Sequence, residues 1–161
     1  MDPFSAEGGK HHPHPGQINT NNPELINIHS AFHQGQYPQV LDFDTTALSP
    51  ENQLPAQILK LRARIALNQT TEAIAEADDN DPSNTDLAAV KALAQYAAGN
   101  ADAALELAAQ LAGKEPDNAT VQVLCGTVLF ASGRGEEALQ LLGRHQGDLE
   151  AYVFYFPCPW L

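Results

Sequence analysis

The amino-acid sequence predicts an all-α protein, a tetratricopeptide-like right-handed α-solenoid of helix pairs. Three observations lead to this class. Alanine and leucine dominate the apolar residues, which make up 43% of the chain, and both favour helices. From residue 23 onward, stretches of about 10–17 residues with helical apolar periodicity alternate with short breaks, as in antiparallel helix hairpins. The breaks also recur at a nearly constant interval, which is typical of repeat proteins.

Eight helices are expected, with start and stop signals at most of their ends. Ser49 precedes Pro50, so the third helix should begin with a capping side chain and a proline at its first position. Thr85-Asp86 and Asn118 are expected to cap the fifth and seventh helices. The expected helices span about 23–34, 38–44, 51–67, 70–78, 85–98, 101–113, 118–132 and 135–144.

The repeat is visible in the residues that follow the first helix of each pair. Asn68 follows Gly35 by 33 residues, Gly99 follows Asn68 by 31, and Gly133 follows Gly99 by 34. A unit of about 34 residues is the tetratricopeptide period. Such helix ends need a left-handed residue, and glycine adopts that conformation without strain. We therefore align these residues as equivalent positions in four helix pairs.

Small residues recur at matching positions in the second helices. They are Ala73, Ala104 and Ala138. Small side chains allow paired helices to approach closely, and larger ones would overpack the contact. Because one pair cannot bury its apolar faces alone, stacked pairs are expected to build the core.

Charge and motif content argue against several classes of function. Twenty acidic residues against eight basic ones give a formal charge of −12, which repels phosphate backbones and anionic headgroups. We therefore expect neither nucleic-acid binding nor direct membrane contact. His29 and His33 have the i, i+4 spacing of a metal pair, but no third ligand accompanies them. Without a nucleophile elbow, phosphate loop or oriented acid–base pair, we expect no enzyme activity, cofactor or metal site.

Composition divides the chain into three segments. Residues 1–22 are rich in Gly, Pro, His and Asn and are expected to form a disordered arm. Residues 23–151 form the expected repeat array. Residues 152–161 are apolar and contain two prolines, which is atypical of the polar cap that ends a solenoid. One hypothesis is that both end segments are translated introns, since their boundaries can be encoded by splice-site sequences. The alternative is a short protein whose aromatic tail folds over the last repeat.

Four segments carry a pattern more specific than the generic repeat. They are residues 28–37 (IHSAFHQGQY), 49–52 (SPEN), 87–96 (LAAVKALAQY) and 145–151 (HQGDLEA). Together they resemble the N-terminal portion of coatomer epsilon subunits, over about residues 25–151. The resemblance implies a structural subunit that clasps the C-terminal part of the alpha coatomer subunit in retrograde Golgi-to-ER transport. It also implies a cytoplasmic protein, held indirectly and peripherally on Golgi membranes and COPI-coated vesicles through the coatomer complex.

The first helix of each pair is expected to line the concave face of such an array, which is our candidate partner-binding groove. The groove is mostly apolar and suits burial of a substantial partner segment. Packing of the same side chains against the next helix is an equally supported interpretation. Counting from the turn residues assigns to this face Leu25, His29, Phe32, Ile58, Arg62, Ile65, Leu93, Tyr96, Val123, Thr127 and Phe130.

A second class of function stays open beside the coat subunit. A tetratricopeptide adaptor or co-chaperone would bind short peptides reversibly through clustered Lys, Arg and Asn side chains. In this sequence only Lys60, Arg62 and Arg64 form such a cluster. The structural coat subunit is therefore the leading hypothesis, and the peptide-binding adaptor is the alternative.

Overall fold

The structure, a computed structural model, describes residues 24–145 and Glu150. The described residues contain eight helices with defined ends and no strand, which confirms the all-α class, and Glu150 is also helical. Every observed end lies within one turn of its expected position. The predicted disordered arm and apolar tail lie outside the described residues. The helices are α1 (Ile26–His33), α2 (Tyr37–Asp42), α3 (Pro50–Ala66), α4 (Thr70–Asn80), α5 (Thr85–Ala97), α6 (Ala101–Lys114), α7 (Ala119–Ala131) and α8 (Gly135–Leu142).

The four residues aligned in the repeat share one backbone conformation. Gly35, Asn68, Gly99 and Gly133 have φ of 73°, 63°, 88° and 82°, respectively. In each turn, the amide of this residue donates to the carbonyl three residues earlier, and the next amide donates to a carbonyl five residues earlier. This is the pattern of a Schellman cap. Asparagine tolerates left-handed geometry better than other side chains, so Asn68 can replace glycine.

Two of the expected helix caps differ from the sequence prediction. Asn84, rather than Thr85 or Asp86, caps α5, because its Oδ1 accepts from the amides of residues 86 and 87 at 2.9 and 3.2 Å. Ser49 precedes α3 as expected, but its side chain caps no amide. Its hydroxyl instead donates to Glu24 at 2.7 Å. The Asn118 cap is confirmed by its 3.0 Å bond from the amide of residue 121.

Glu24 anchors the chain before α1 to the start of α3. Besides the Ser49 hydroxyl, it accepts from the Ser49 amide at 3.1 Å and from Asn52 Nδ2 at 2.6 Å. The side-chain hydrogen bond from Ser49, followed by those from Asn52 and the Ser49 amide, lowers the pKa of Glu24 below its usual value. The ionised carboxylate therefore supports this junction, a contact between residues about 25 positions apart.

Consecutive helices pack on each other. In addition, α3 contacts both α1 and α5, and α5 contacts α7. Among residues 24–145, two apolar clusters fill the interior. One joins α1 and α2 to one side of α3 through Ala56 and Leu59, and the other begins on α3 at Ile58 and Leu61 and continues to α8. The alanines at 73, 104 and 138 are completely buried, as expected for close helix contacts.

Candidate partner-binding groove

The predicted groove residues occupy three equivalent positions relative to the left-handed turns. The inner row lies ten positions before a left-handed turn residue and consists of Leu25, Ile58 and Val123. The middle row lies six positions before it and consists of His29, Arg62, Leu93 and Thr127. The outer row lies three positions before it and consists of Phe32, Ile65, Tyr96 and Phe130. All but Leu25 lie within odd-numbered helices.

The inner row lies in the interior. Leu25, Ile58 and Val123 are only 1%, 3% and 2% exposed, respectively, and belong to the two apolar clusters. Their burial favours the helix-packing interpretation for these three positions. The surface available to a partner is therefore formed by the middle and outer rows, which we call the groove surface.

The groove surface is half-buried along most of its length and ends in an exposed aromatic side chain. Seven of its members are partly exposed, and Phe32, Ile65, Leu93 and Tyr96 rest on the apolar clusters. Phe130 is 65% exposed. Such a surface keeps apolar area accessible while its inner edge is supported by the core.

The α5–α7 end of the groove surface is held by neutral hydrogen bonds. Tyr96 Oη donates to the carbonyl of Ala131 at 3.1 Å, which ties α5 to the end of α7. Thr127 Oγ1 donates to the carbonyl of Val123 at 2.7 Å. Because both hydroxyls have intramolecular acceptors, this end offers mainly apolar contact through Leu93, the Tyr96 ring and Phe130.

The α1–α3 end of the groove surface carries a buried charge. The Arg62 guanidinium carbon lies 4.6 Å from the centroid of the Phe32 ring, a cation–π distance. Arg62 Nη1 donates to Glu150 Oε2 at 3.2 Å, and Nη2 donates to Glu150 Oε1. The Arg62 and Glu150 side chains are 11% and 23% exposed, respectively. Sequence reasoning placed Arg62 on this face but assigned no role to Glu150.

Two histidines border this ion pair. The rings of His29 and His33 stack with centroids 6.1 Å apart, and the Phe32 ring meets His33 edge-on at 5.5 Å. Burial by itself raises the pKa of Glu150. The hydrogen bonds and charge of Arg62, together with the charges of His33 and His29, outweigh burial and lower the pKa of Glu150 overall. Glu150 is therefore held as a carboxylate.

Neither a metal centre nor a membrane span is found in the described part of the chain. Residues 24–145 and Glu150 contain no group of three or more His, Cys, Asp or Glu side chains placed to hold a metal ion. None of their helices has the length and apolar character needed to cross a bilayer. Cys125 is buried in α7, and burial raises the pKa of its thiol to about 12, so it is a packing residue.

The described residues form an all-helical fold, and the groove surface on α1, α3, α5 and α7 is at least partly exposed. The family model of the coatomer epsilon subunit matches residues 21–156. That match covers most of the 161 residues, so the chain belongs to the coatomer epsilon subunit family, a family of structural coat subunits. No curated protein and no solved structure matches the chain.

Proposed function

We propose that this protein binds the alpha coatomer subunit through the groove surface and serves the COPI coat in retrograde Golgi-to-ER transport. Membership of the coatomer epsilon subunit family supports a place in the coat. The observation that carries the partner assignment is the continuous half-buried face on α1, α3, α5 and α7, which suits a long partner segment better than a point ligand.

The exposed phenylalanine supports an interface at the α5–α7 end. Phe130 keeps about two thirds of its surface in water, whereas Tyr96, its equivalent in the preceding repeat, is fixed by a hydrogen bond. Aromatic residues that project from a rigid support are frequent anchors of protein–protein interfaces. A partner segment on this end would remove the Phe130 ring from water.

A tetratricopeptide-like right-handed solenoid is part of the same proposal. It is supported by the four equivalent left-handed turns and by the contacts between successive odd-numbered helices. In such an array the odd-numbered helices share one face. The expected location is the cytoplasm, with indirect attachment to Golgi membranes and COPI-coated vesicles through the rest of the coat.

Affinity purification of the tagged protein, followed by mass spectrometry, tests the class of function. Recovery of the alpha coatomer subunit with other coatomer subunits is the expected result. Loss of the alpha subunit from a Phe130→Ala sample, with retention in a Leu67→Ala sample, would assign binding to the groove surface. Leu67 is a matched control because it is also an exposed apolar residue but lies outside that surface.

A peptide-binding adaptor is the second candidate, and the carboxylate bound by Arg62 is the observation that favours it. Basic side chains that grip carboxylates are the means by which such adaptors hold peptide ends. The same purification separates the two candidates. Chaperones recovered without coatomer subunits would favour the adaptor and contradict the coat assignment.

A further inference from the structure

The Arg62 side chain has the surroundings of a binding site rather than of a surface charge. Its guanidinium lies over the Phe32 ring, two of its nitrogens donate to Glu150, and the side chain as a whole is 11% exposed. Two-pronged guanidinium–carboxylate pairs are strong and directional. Arginine cannot lose its charge at ordinary pH, so a buried guanidinium needs an anion beside it.

The components of this site come from distant parts of the chain. Phe32 lies in α1 and Arg62 in α3, whereas Glu150 lies beyond α8, 88 residues after Arg62. The position of Glu150 is therefore decided by how the helix pairs stack. The carboxylate occupies the α1–α3 end of the groove surface, where it covers part of the face that a partner segment would use.

The local charge contrasts with that of the whole chain. The formal charge of the protein is −12, yet Arg62, His29 and His33 all act on Glu150 to favour its ionised form. This end of the groove surface is therefore adapted to a carboxylate, while the α5–α7 end is apolar. A ligand that fits both ends combines apolar side chains with an acidic one.

We propose that Arg62 and Phe32 form a carboxylate-binding subsite that Glu150 fills in the free chain and that an acidic side chain of the partner segment takes over. The identity of that segment, the C-terminal part of alpha coatomer, rests on the proposed function. An apolar segment that displaced Glu150 without supplying a carboxylate would leave a buried charge unpaired, which is strongly unfavourable. The subsite thereby selects partner segments that carry an acidic side chain at this point.

Occupation of the subsite by Glu150 in the free chain can be tested on the protein alone. In 15N-detected spectra, a guanidinium with two hydrogen-bonded Nη nitrogens should give Nη protons that exchange slowly with water. Glu150→Gln should abolish that slow exchange for Arg62, and Glu136→Gln, which changes an exposed acidic residue of α8, should preserve it. Circular dichroism shows whether both variants keep their helices. A slowly exchanging Arg62 signal that survives in folded Glu150→Gln protein would overturn the subsite.

Displacement of Glu150 by the partner is tested by binding kinetics with the purified C-terminal part of alpha coatomer. Glu150→Gln should raise the apparent affinity about three- to tenfold, because more chains then have a vacant subsite. Arg62→Gln should weaken binding and should remove any further effect of Glu150→Gln. The Glu136→Gln control should bind like the unchanged protein.

The outcomes separate the two proposals. Equal or weaker binding by Glu150→Gln, with the unchanged protein binding normally, would overturn displacement. Absence of binding by the unchanged protein would overturn the proposed function and displacement together. The exchange measurement on Arg62 would then still decide whether Glu150 occupies the subsite.

Discussion

Replacement of Gly126 by alanine tests the contact between α7 and α8 quantitatively. A Cβ atom at this position would lie 3.2 Å from Leu142 Cγ and 3.3 and 3.6 Å from its two Cδ atoms. The nearest of these atoms is the branch carbon Cγ, so rotation of the two terminal methyl groups about the Cβ–Cγ bond does not relieve the contact. Leu142 is also buried in its own cluster. The helices would therefore have to separate by a few tenths of an ångström.

The balance of two effects sets the expected magnitude. Alanine in place of glycine inside a helix contributes about 0.5–1 kcal/mol of stability, whereas overpacking a buried contact costs about 1–3 kcal/mol. We expect Gly126→Ala to lower the free energy of unfolding by about 1–2 kcal/mol, which for a chain of this size lowers Tm by about 2–8 °C. Calorimetry or thermal circular dichroism measures the shift.

Gly113 provides a matched control, because it also lies in a helix but a Cβ there would meet nothing within 4 Å. Gly113→Ala should raise stability by up to about 1 kcal/mol. In a Leu142→Ala background, Gly126→Ala should change from destabilising to stabilising, since the clash is gone. A rise in Tm for Gly126→Ala equal to that of Gly113→Ala would refute the close contact between α7 and α8.

Four further predictions address the interface, the core and the titrating groups. Phe130→Ala should change stability by less than about 0.5 kcal/mol, because the ring is exposed, yet weaken alpha coatomer binding by about 2 kcal/mol or more; titration calorimetry that shows full affinity would contradict this. Ala104→Trp and Ala138→Trp should each cost about 1–3 kcal/mol or more of unfolding free energy, and unchanged melting of both would rule out the helix register. With the other cysteine replaced by serine, Cys125 should resist alkylation at pH 8 in the folded protein, where a pKa of about 12 leaves about one thiolate in ten thousand; rapid labelling without unfolding would disprove its burial. Because the folded-state pKa of Glu24 is lowered, its contribution to stability is present above its unfolded pKa and lost as pH falls through the folded value. The Tm of Glu24→Gln should therefore fall less than that of the unchanged protein between pH 6 and pH 3, and parallel curves would contradict the role of the Glu24 carboxylate at this junction.

The local structure of this protein was largely predictable from short stretches of sequence. Within the part of the chain that the structure describes, apolar periodicity, prolines and capping residues located the eight helices with defined ends, because these signals act between residues a few positions apart. The spacing of Gly35, Asn68, Gly99 and Gly133 identified four equivalent turns, and the positive φ at all four confirms that alignment. The caps were predicted less accurately. Neighbouring polar residues such as Asn84 and Thr85 compete for the same amides, and their backbone geometry decides which one binds.

The resemblance to coatomer epsilon subunits was also available from the sequence, and the family match confirms it. The eleven groove residues could be assigned to one helix face because they recur at fixed distances from the turns. Periodicity gives the direction of a side chain around its own helix but not the depth at which the next helix covers it. For that reason Leu25, Ile58 and Val123 could not be separated from the exposed Phe130 before the helix packing was known.

Only the tertiary structure decided the contacts between distant residues. The carboxylate of Glu24 reaches Ser49, and that of Glu150 reaches Arg62 across 88 residues, although nothing in the adjoining sequence specifies either partner. Such pairs depend on the accumulated geometry of the stacked helices, in which small changes of packing angle move a side chain by several ångströms. The sequence by itself therefore determined the repeat, the helices and the family. The stacking of the helices decided which groove residues remain accessible and which carboxylate binds Arg62 at the α1–α3 end.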